Sequence, residues 1–123
     1  MTRDTIERVR GKWRVTEVED SPPDILDTLG AANIELAEDR TGIFRMANMQ
    51  GVMDFMPTIE NRKPAIEFTW EGLIGDEYHS GRGFALTDGK FSMMGQFWVH
   101  MGGRVFFKAT KWGRWLYDER MKK

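Results

Sequence analysis

Short apolar stretches alternate with polar positions along most of the chain, and most glycines fall between them. Period-two alternation broken by turn residues is the pattern of antiparallel strands. The first stretch runs from Lys12 to Glu19, with Trp13 and Val15 on one face and Arg14, Thr16 and Val18 on the other. Residues 21–30, Ser-Pro-Pro-Asp-Ile-Leu-Asp-Thr-Leu-Gly, break the alternation. Ser21 can cap a helix, Pro22 suits its first position, Asp24 its first turn and Gly30 its stop. A short helix is therefore predicted over 22–29, with Ile25, Leu26 and Leu29 facing inward.

From Ala31 to Trp112 the chain reads as strand and turn. Ala32, Ile34 and Leu36 alternate with Asn33 and Glu35, and residues 38–42 form a turn. Strands are predicted over 43–49 and 52–56, joined at Gln50-Gly51. After a polar turn at 60–64, Ala65 to Glu71 alternates most clearly, with Ile66, Phe68 and Trp70 opposite Glu67, Thr69 and Glu71. A longer loop is expected over 72–80. Strands over 82–87 and 91–99 form a hairpin around Asp88-Gly89, a dipeptide favoured in two-residue turns. Met101-Gly102-Gly103 then turns into the last strand, Arg104 to Trp112. Eight consecutive strands without βαβ alternation predict an all-β fold. Closure into an eight-stranded antiparallel up-and-down barrel, with one short helix after the first strand, removes both exposed edges. A sandwich of two four-stranded sheets is the alternative.

Composition narrows the class. The chain has 123 residues, 41% hydrophobic and 30% charged, with a net charge of −1. That balance excludes a disordered polyelectrolyte, and the length suits one domain. The barrel is expected over about 11–112, followed by a short basic tail at 113–123. No apolar run is long enough for a transmembrane helix. With no cysteine there is no disulfide, thiolate nucleophile or thiolate metal site. The N-terminus, MTRDTIERVRGKW, has no apolar core of a signal peptide, so a cytoplasmic protein is expected.

Gly11-Lys12-Trp13 at the opening of the first strand resembles the G-x-W signature of the calycins, the lipocalin and avidin-type barrels. The resemblance implies that Trp13 closes one end of an eight-stranded barrel and that a cation from the end of the last strand lies across its ring. Lys108, Lys111 and Arg114 are the candidates. The chain departs from the lipocalin pattern in its helix, which follows the first strand, and in lacking a disulfide. It is also similar to small uncharacterised bacterial proteins over Glu67-Phe68-Thr69-Trp70-Glu71-Gly72 and Ser80-Gly81-Arg82-Gly83, a likeness that implies no activity.

An eight-stranded barrel is just wide enough to be filled by side chains or to hold one small ligand. The function expected is non-enzymatic binding of a small apolar or amphipathic ligand inside the barrel. Candidate lining residues are Met53, Phe55, Phe68, Trp70, Phe84, Met93 and Phe97. Methionine suits either an adaptable binding surface or the filling of core gaps. Arg45 and Arg82 stand in the apolar phase of their strands. Pointing inward, each would need an anion, Glu67 or Asp54 or an acidic group on the ligand; at a barrel mouth each would sit in water.

Residues 91–99 and 104–112 are apolar on both faces, and a barrel strand has only one inward face. The surplus must be covered by the helix, the tail or another subunit. The alternative function is thus a homodimeric protein–protein interaction module, with Trp98 and Phe106 at the interface. Charge is segregated: residues 1–14 carry +3, 15–103 carry −9 and 104–123 carry +5. Trp112, Trp115 and Tyr117 interleave with the basic residues of the last segment, a nucleic-acid-like pattern that the acidic remainder of the chain opposes. No catalytic motif occurs, no cofactor is implied, and Asp76, Glu77 and His79 match no metal-binding spacing.

Overall fold

The computed structural model describes residues 2–88 and 90–112. In chain order they form α1 (Thr2–Val9), β1 (Gly11–Val18), α2 (Pro23–Leu26), β2 (Asn33–Leu36), β3 (Thr41–Met46) and β4 (Met49–Glu60). They continue with β5 (Lys63–Ile74), β6 (Glu77–Thr87), β7 (Ser92–Val99) and β8 (Arg104–Lys111). Each strand pairs antiparallel with the next, and β8 pairs with β1, so the sheet is a closed eight-stranded up-and-down barrel. Closure gives every strand a paired neighbour on both sides over at least part of its length. The sandwich alternative is thereby excluded.

Several boundaries differ from the sequence pattern. The β5–β6 hairpin runs on to Ile74 opposite Glu77, so residues 72–80 are strand and a tight turn rather than a long loop. Gly75 at that turn has φ +64, a conformation that favours glycine. The β3–β4 turn lies at 47–48, and Gln50-Gly51 is inside β4. The β6–β7 connection is longer than two residues. Asp88 Oδ1 organises it by accepting from the amides of Lys90, Phe91 and Ser92 at 2.8, 2.9 and 3.1 Å. The predicted helix shrinks to the four residues of α2, with Pro22 rather than Ser21 at its cap and no side-chain capping bond. Of its three apolar residues only Leu26 is buried; Ile25 is exposed and Leu29 half-buried.

α1 carries no strong signal in the sequence. Eight residues are too few to hold a helix alone in water. Contact supplies the stability: Val9 and Thr5 are buried, and the helix packs against β4 and β5. Because turns alternate between the two ends of an up-and-down barrel, α1 covers the floor end, where β1 begins. α2 sits at the other end, the rim, where β1 finishes.

The floor is built around Trp13, which is fully buried. Its Nε1–H donates to the Val9 carbonyl at 2.8 Å, joining α1 to β1. Lys111, at the end of β8, places Nζ 4.5 Å from the Trp13 ring centre and donates to the Arg10 carbonyl. Gly11 has φ +112, and a Cβ there would stand 3.1 Å from Lys111 Nζ. The glycine two residues before the tryptophan thus has a physical reason: it turns the chain and leaves room for the ammonium. Burial, then the nearby Arg10 charge, pushes the Lys111 ammonium below the ordinary lysine range. Lys108 pairs instead with Glu17 at 3.9 Å on the outside. Arg114, Trp115 and Tyr117 lie outside the described residues.

At the rim, Arg14 fastens the α2 connection to the barrel. Its guanidinium donates to both Asp27 oxygens, at 2.7 and 2.8 Å, while Asp27 Oδ1 also accepts from the Ala32 amide at 2.9 Å. The Arg14 bond, followed by the Ala32 amide, holds the Asp27 carboxyl below its usual range.

Candidate functional site

The nine residues expected to line a ligand do not converge on one site. Met53, Phe55, Phe68, Trp70, Met93 and Phe97 face inward and are buried. Their rings interlock. Trp70 and Phe97 are 5.4 Å apart between centres, Phe44 lies 5.7 Å from Trp70 and 5.8 Å from Phe97, and Phe97 is 6.4 Å from Phe107. Edge-to-face and tilted contacts in this range add to the burial of the rings themselves.

Glycines on the neighbouring strands make the room. Phe68 pairs with Gly83, Trp70 with Gly81 and Phe107 with Gly95. A Cβ on Gly83 would come within 2.2 Å of Phe68 Cζ, and one on Gly95 within 2.8 Å of Phe107 Cζ. At Gly81 the missing side chain lets the Trp70 indole reach across β6 and donate to the Trp98 carbonyl on β7, at 3.1 Å. The inward phase of β6 is thus Gly81, Gly83, Ala85 and Thr87.

Arg82, Phe84 and Arg45 do not face the interior with the other six. Because the small residues of β6 face inward, Arg82 and Phe84 project outward. Arg45 does likewise, since Phe44 and Met46 take the inward phase of β3. A one-residue difference in phase exchanges the two faces of a strand. Both arginines are exposed, so neither requires a buried counter-ion. Arg82 instead lies 5.7 Å from the Trp98 ring centre on the outer surface.

The register organises that surface into rows running across the strands. Asp54, Thr69, Arg82, Trp98 and Arg104 form one row. Nearer the rim come Val52, Glu71 and Ser80, and nearer the floor Glu67, Phe84, Gln96 and Phe106. The Arg82–Trp98–Arg104 row is a ridge between two grooves. On the rim side an open groove of about 880 Å³ is lined by Asp54, Glu71, Tyr78, Ser80, Arg82 and Trp98, with His100 and Met101 at its end. On the floor side an apolar groove of about 410 Å³ runs over Phe84, Leu86, Met94, Gln96 and Phe106.

The rim groove mixes chemistries. Glu71 accepts a hydrogen bond from the Tyr78 hydroxyl, and that bond raises the phenol above its ordinary pKa. The bond fixes the ring beside the carboxylate. Trp98 offers an indole face, Ser80 and Thr69 hydroxyls, Asp54 a second carboxylate, and Arg82 a fork of donors. The His100 amide donates to the Ser80 carbonyl at 2.7 Å, which ties the end of the groove to β6. Tyr78 and Ser80 escape the sequence reading because 72–80 looks like a loop. The signal that places them is the alternation of Tyr78, Ser80 and Arg82, which continues outward once Gly75-Asp76 is taken as the turn.

Of the metal candidates, His79 Nε2 lies 3.5 Å from Glu77 Oε1, and among the described residues no three histidine, aspartate or glutamate side chains form a metal-holding group. No described helix is long and apolar enough to cross a membrane. β1 and β8 bring the two basic segments together, with Lys12 Nζ 4.5 Å from the Trp112 ring centre. Comparison with family models, curated proteins and solved structures returns no match for this chain.

Proposed function

We propose that this chain is a non-enzymatic binding protein of calycin-like architecture for a small amphipathic ligand, and that the ligand lies in the rim groove on the outside of the barrel. The closed eight-stranded barrel, the Gly11-Lys12-Trp13 opening and Lys111 over the Trp13 ring support the calycin-like reading. The observation that carries the binding reading is the make-up of the groove. The Trp98 indole and the Tyr78 phenol stand among the carboxylates of Asp54 and Glu71, the hydroxyls of Thr69 and Ser80 and the Arg82 guanidinium. Binding sites combine apolar surface with a few placed polar groups in this way. Mixed charge signs favour a ligand with both donors and acceptors over a simple anion or cation. Uptake inside the barrel would require the Phe44, Trp70 and Phe97 cluster to separate, with the loss of its ring contacts.

Native mass spectrometry of protein purified from cells tests this reading. A bound small molecule is expected on the wild type, lost or reduced at least about tenfold in Trp98→Ala, the loss of one good aromatic contact. Met93→Leu, a volume-conserving change in the core, is expected to keep it. A ligand retained by Trp98→Ala and lost from Met93→Leu would move the site to the interior.

A further inference from the structure

The rim groove carries two features that the fold itself does not require. The first is Met101 in the β7–β8 turn. Its φ is +60, in the left-handed region that glycine and asparagine enter more readily than a long side chain. The turn is tight: the Gly102 amide donates to the Val99 carbonyl at 2.7 Å and the Val99 amide to the Gly103 carbonyl at 2.9 Å. Met101 is nonetheless 94% exposed, so its side chain gains no burial in return for that conformation. It lines the same groove as the Trp98 indole. A backbone outlier with no packing reason, at the edge of a cleft, signals a demand of function.

The second feature is unpaired charge of both signs. Asp54, Thr69 and Arg82 are direct neighbours across β4, β5 and β6. Strand spacing sets the first and last about 10 Å apart between Cα atoms. Among the described residues neither Asp54 nor Arg82 has an ion-pair partner, and Glu71 has only the Tyr78 hydroxyl. A carboxylate and a guanidinium thus flank Thr69 without reaching one another.

We propose that the rim groove binds a free aromatic α-amino acid, an inference that rests on the rim-groove reading. The ligand carboxylate takes the Arg82 fork, which suits a planar two-oxygen acceptor. The ligand ammonium donates to Asp54, with Glu71 adding to the negative field. The ligand ring lies between the Trp98 indole and the Met101 thioether, a ring contact and a sulfur–ring contact. A plain amine would leave Arg82 unused, and a plain acid would meet two carboxylates. Only a ligand with both charges beside a ring answers all of these side chains.

Titration calorimetry with L-phenylalanine and its parts tests the assignment. L-Phenylalanine is expected to bind with a Kd of about 1 mM or tighter. Phenethylamine, which lacks the carboxylate, and 3-phenylpropionate, which lacks the ammonium, should each bind at least about fivefold more weakly, the loss of one charged contact. Arg82→Gln should abolish the preference for phenylalanine over phenethylamine and leave phenethylamine binding unchanged. Asp54→Asn should do the same for the preference over 3-phenylpropionate. Met101→Asn should weaken phenylalanine binding without lowering the thermal midpoint, because asparagine accepts this backbone conformation. Equal binding of phenylalanine and phenethylamine, or a preference that survives Arg82→Gln, would overturn the proposal. A Met101 methyl resonance that an amphipathic dye shifts and phenylalanine does not would overturn the ligand class alone; one that neither shifts would overturn the rim-groove reading as well.

Discussion

Trp13→Ala is expected to lower the stability of the barrel by about 3–5 kcal/mol, the cost of truncating a fully buried large aromatic. That is a large share of the total for a small domain, about 5–15 kcal/mol. Three losses coincide at this position. The ring leaves a void at the floor, the Val9 carbonyl loses its indole donor, and Lys111 is left partly buried without the face it lies over. α1 is expected to detach with the indole, because that hydrogen bond and Val9 join it to β1. Trp13→Phe keeps most of the apolar volume and loses the donor, so it should cost less, about 1–3 kcal/mol. Urea denaturation of the three proteins gives the comparison. Equal midpoints for Trp13→Ala and the wild type would show that the floor does not hold the barrel together.

Gly81→Ala is the second large effect, and it comes from adding one carbon. The new Cβ would stand 1.7 Å from the Trp98 carbonyl oxygen and 2.9 Å from Trp70 Nε1. The first neighbour is backbone, which cannot rotate away, so β6 and β7 must move apart locally. The Trp70 indole then loses its acceptor while still buried. Overpacking of this kind costs about 1–3 kcal/mol, and the displaced hydrogen bond takes the expectation to the upper end, about 3 kcal/mol. Gly103→Ala is the control. It has open space around its Cβ position and sits at the β7–β8 turn. A surface change of that sort stays within about 0.5 kcal/mol. A thermal melt with the two variants indistinguishable would contradict the seating of Trp70 over Gly81.

Much of the fold is legible in the sequence, because closure of a sheet depends on strand number and alternation and both are written locally. Ala65 to Trp70 has the pattern of its strand unambiguously, and Trp13 announces the floor. What is not legible depends on neighbours. In β6 the apolar side chains, Phe84 and Leu86, are on the outside, and the inward positions are two glycines, an alanine and Thr87. Read alone, the strand turns its hydrophobic phase to the core. Only the aromatics of β5, seated on those glycines, reverse it. Arg45 misleads in a similar way: Ile43 and Ala47 suggest one phase, while Phe44 and Met46 take the core. α1 is invisible for another reason, since its helical propensity is weak and its stability comes from Val9 and Thr5 against the barrel. The rim groove draws residues from four strands. No single stretch displays it, and its register appears only once the β5–β6 hairpin is extended to Ile74 and Glu77.

The proposed function places recognition on the outer face of the barrel, over a core packed with its own aromatic side chains. The methionines report on it directly, because Met101 lines the rim groove and is 94% exposed, whereas Met46 and Met93 lie in the core. Methionine methyl NMR spectra recorded during titration with anilinonaphthalene sulfonate, an amphipathic probe, distinguish the two locations. A saturable shift of the Met101 methyl is expected, with those of Met46 and Met93 unmoved. Shifts at Met46 and Met93 with Met101 unchanged would place the probe inside the barrel and contradict it.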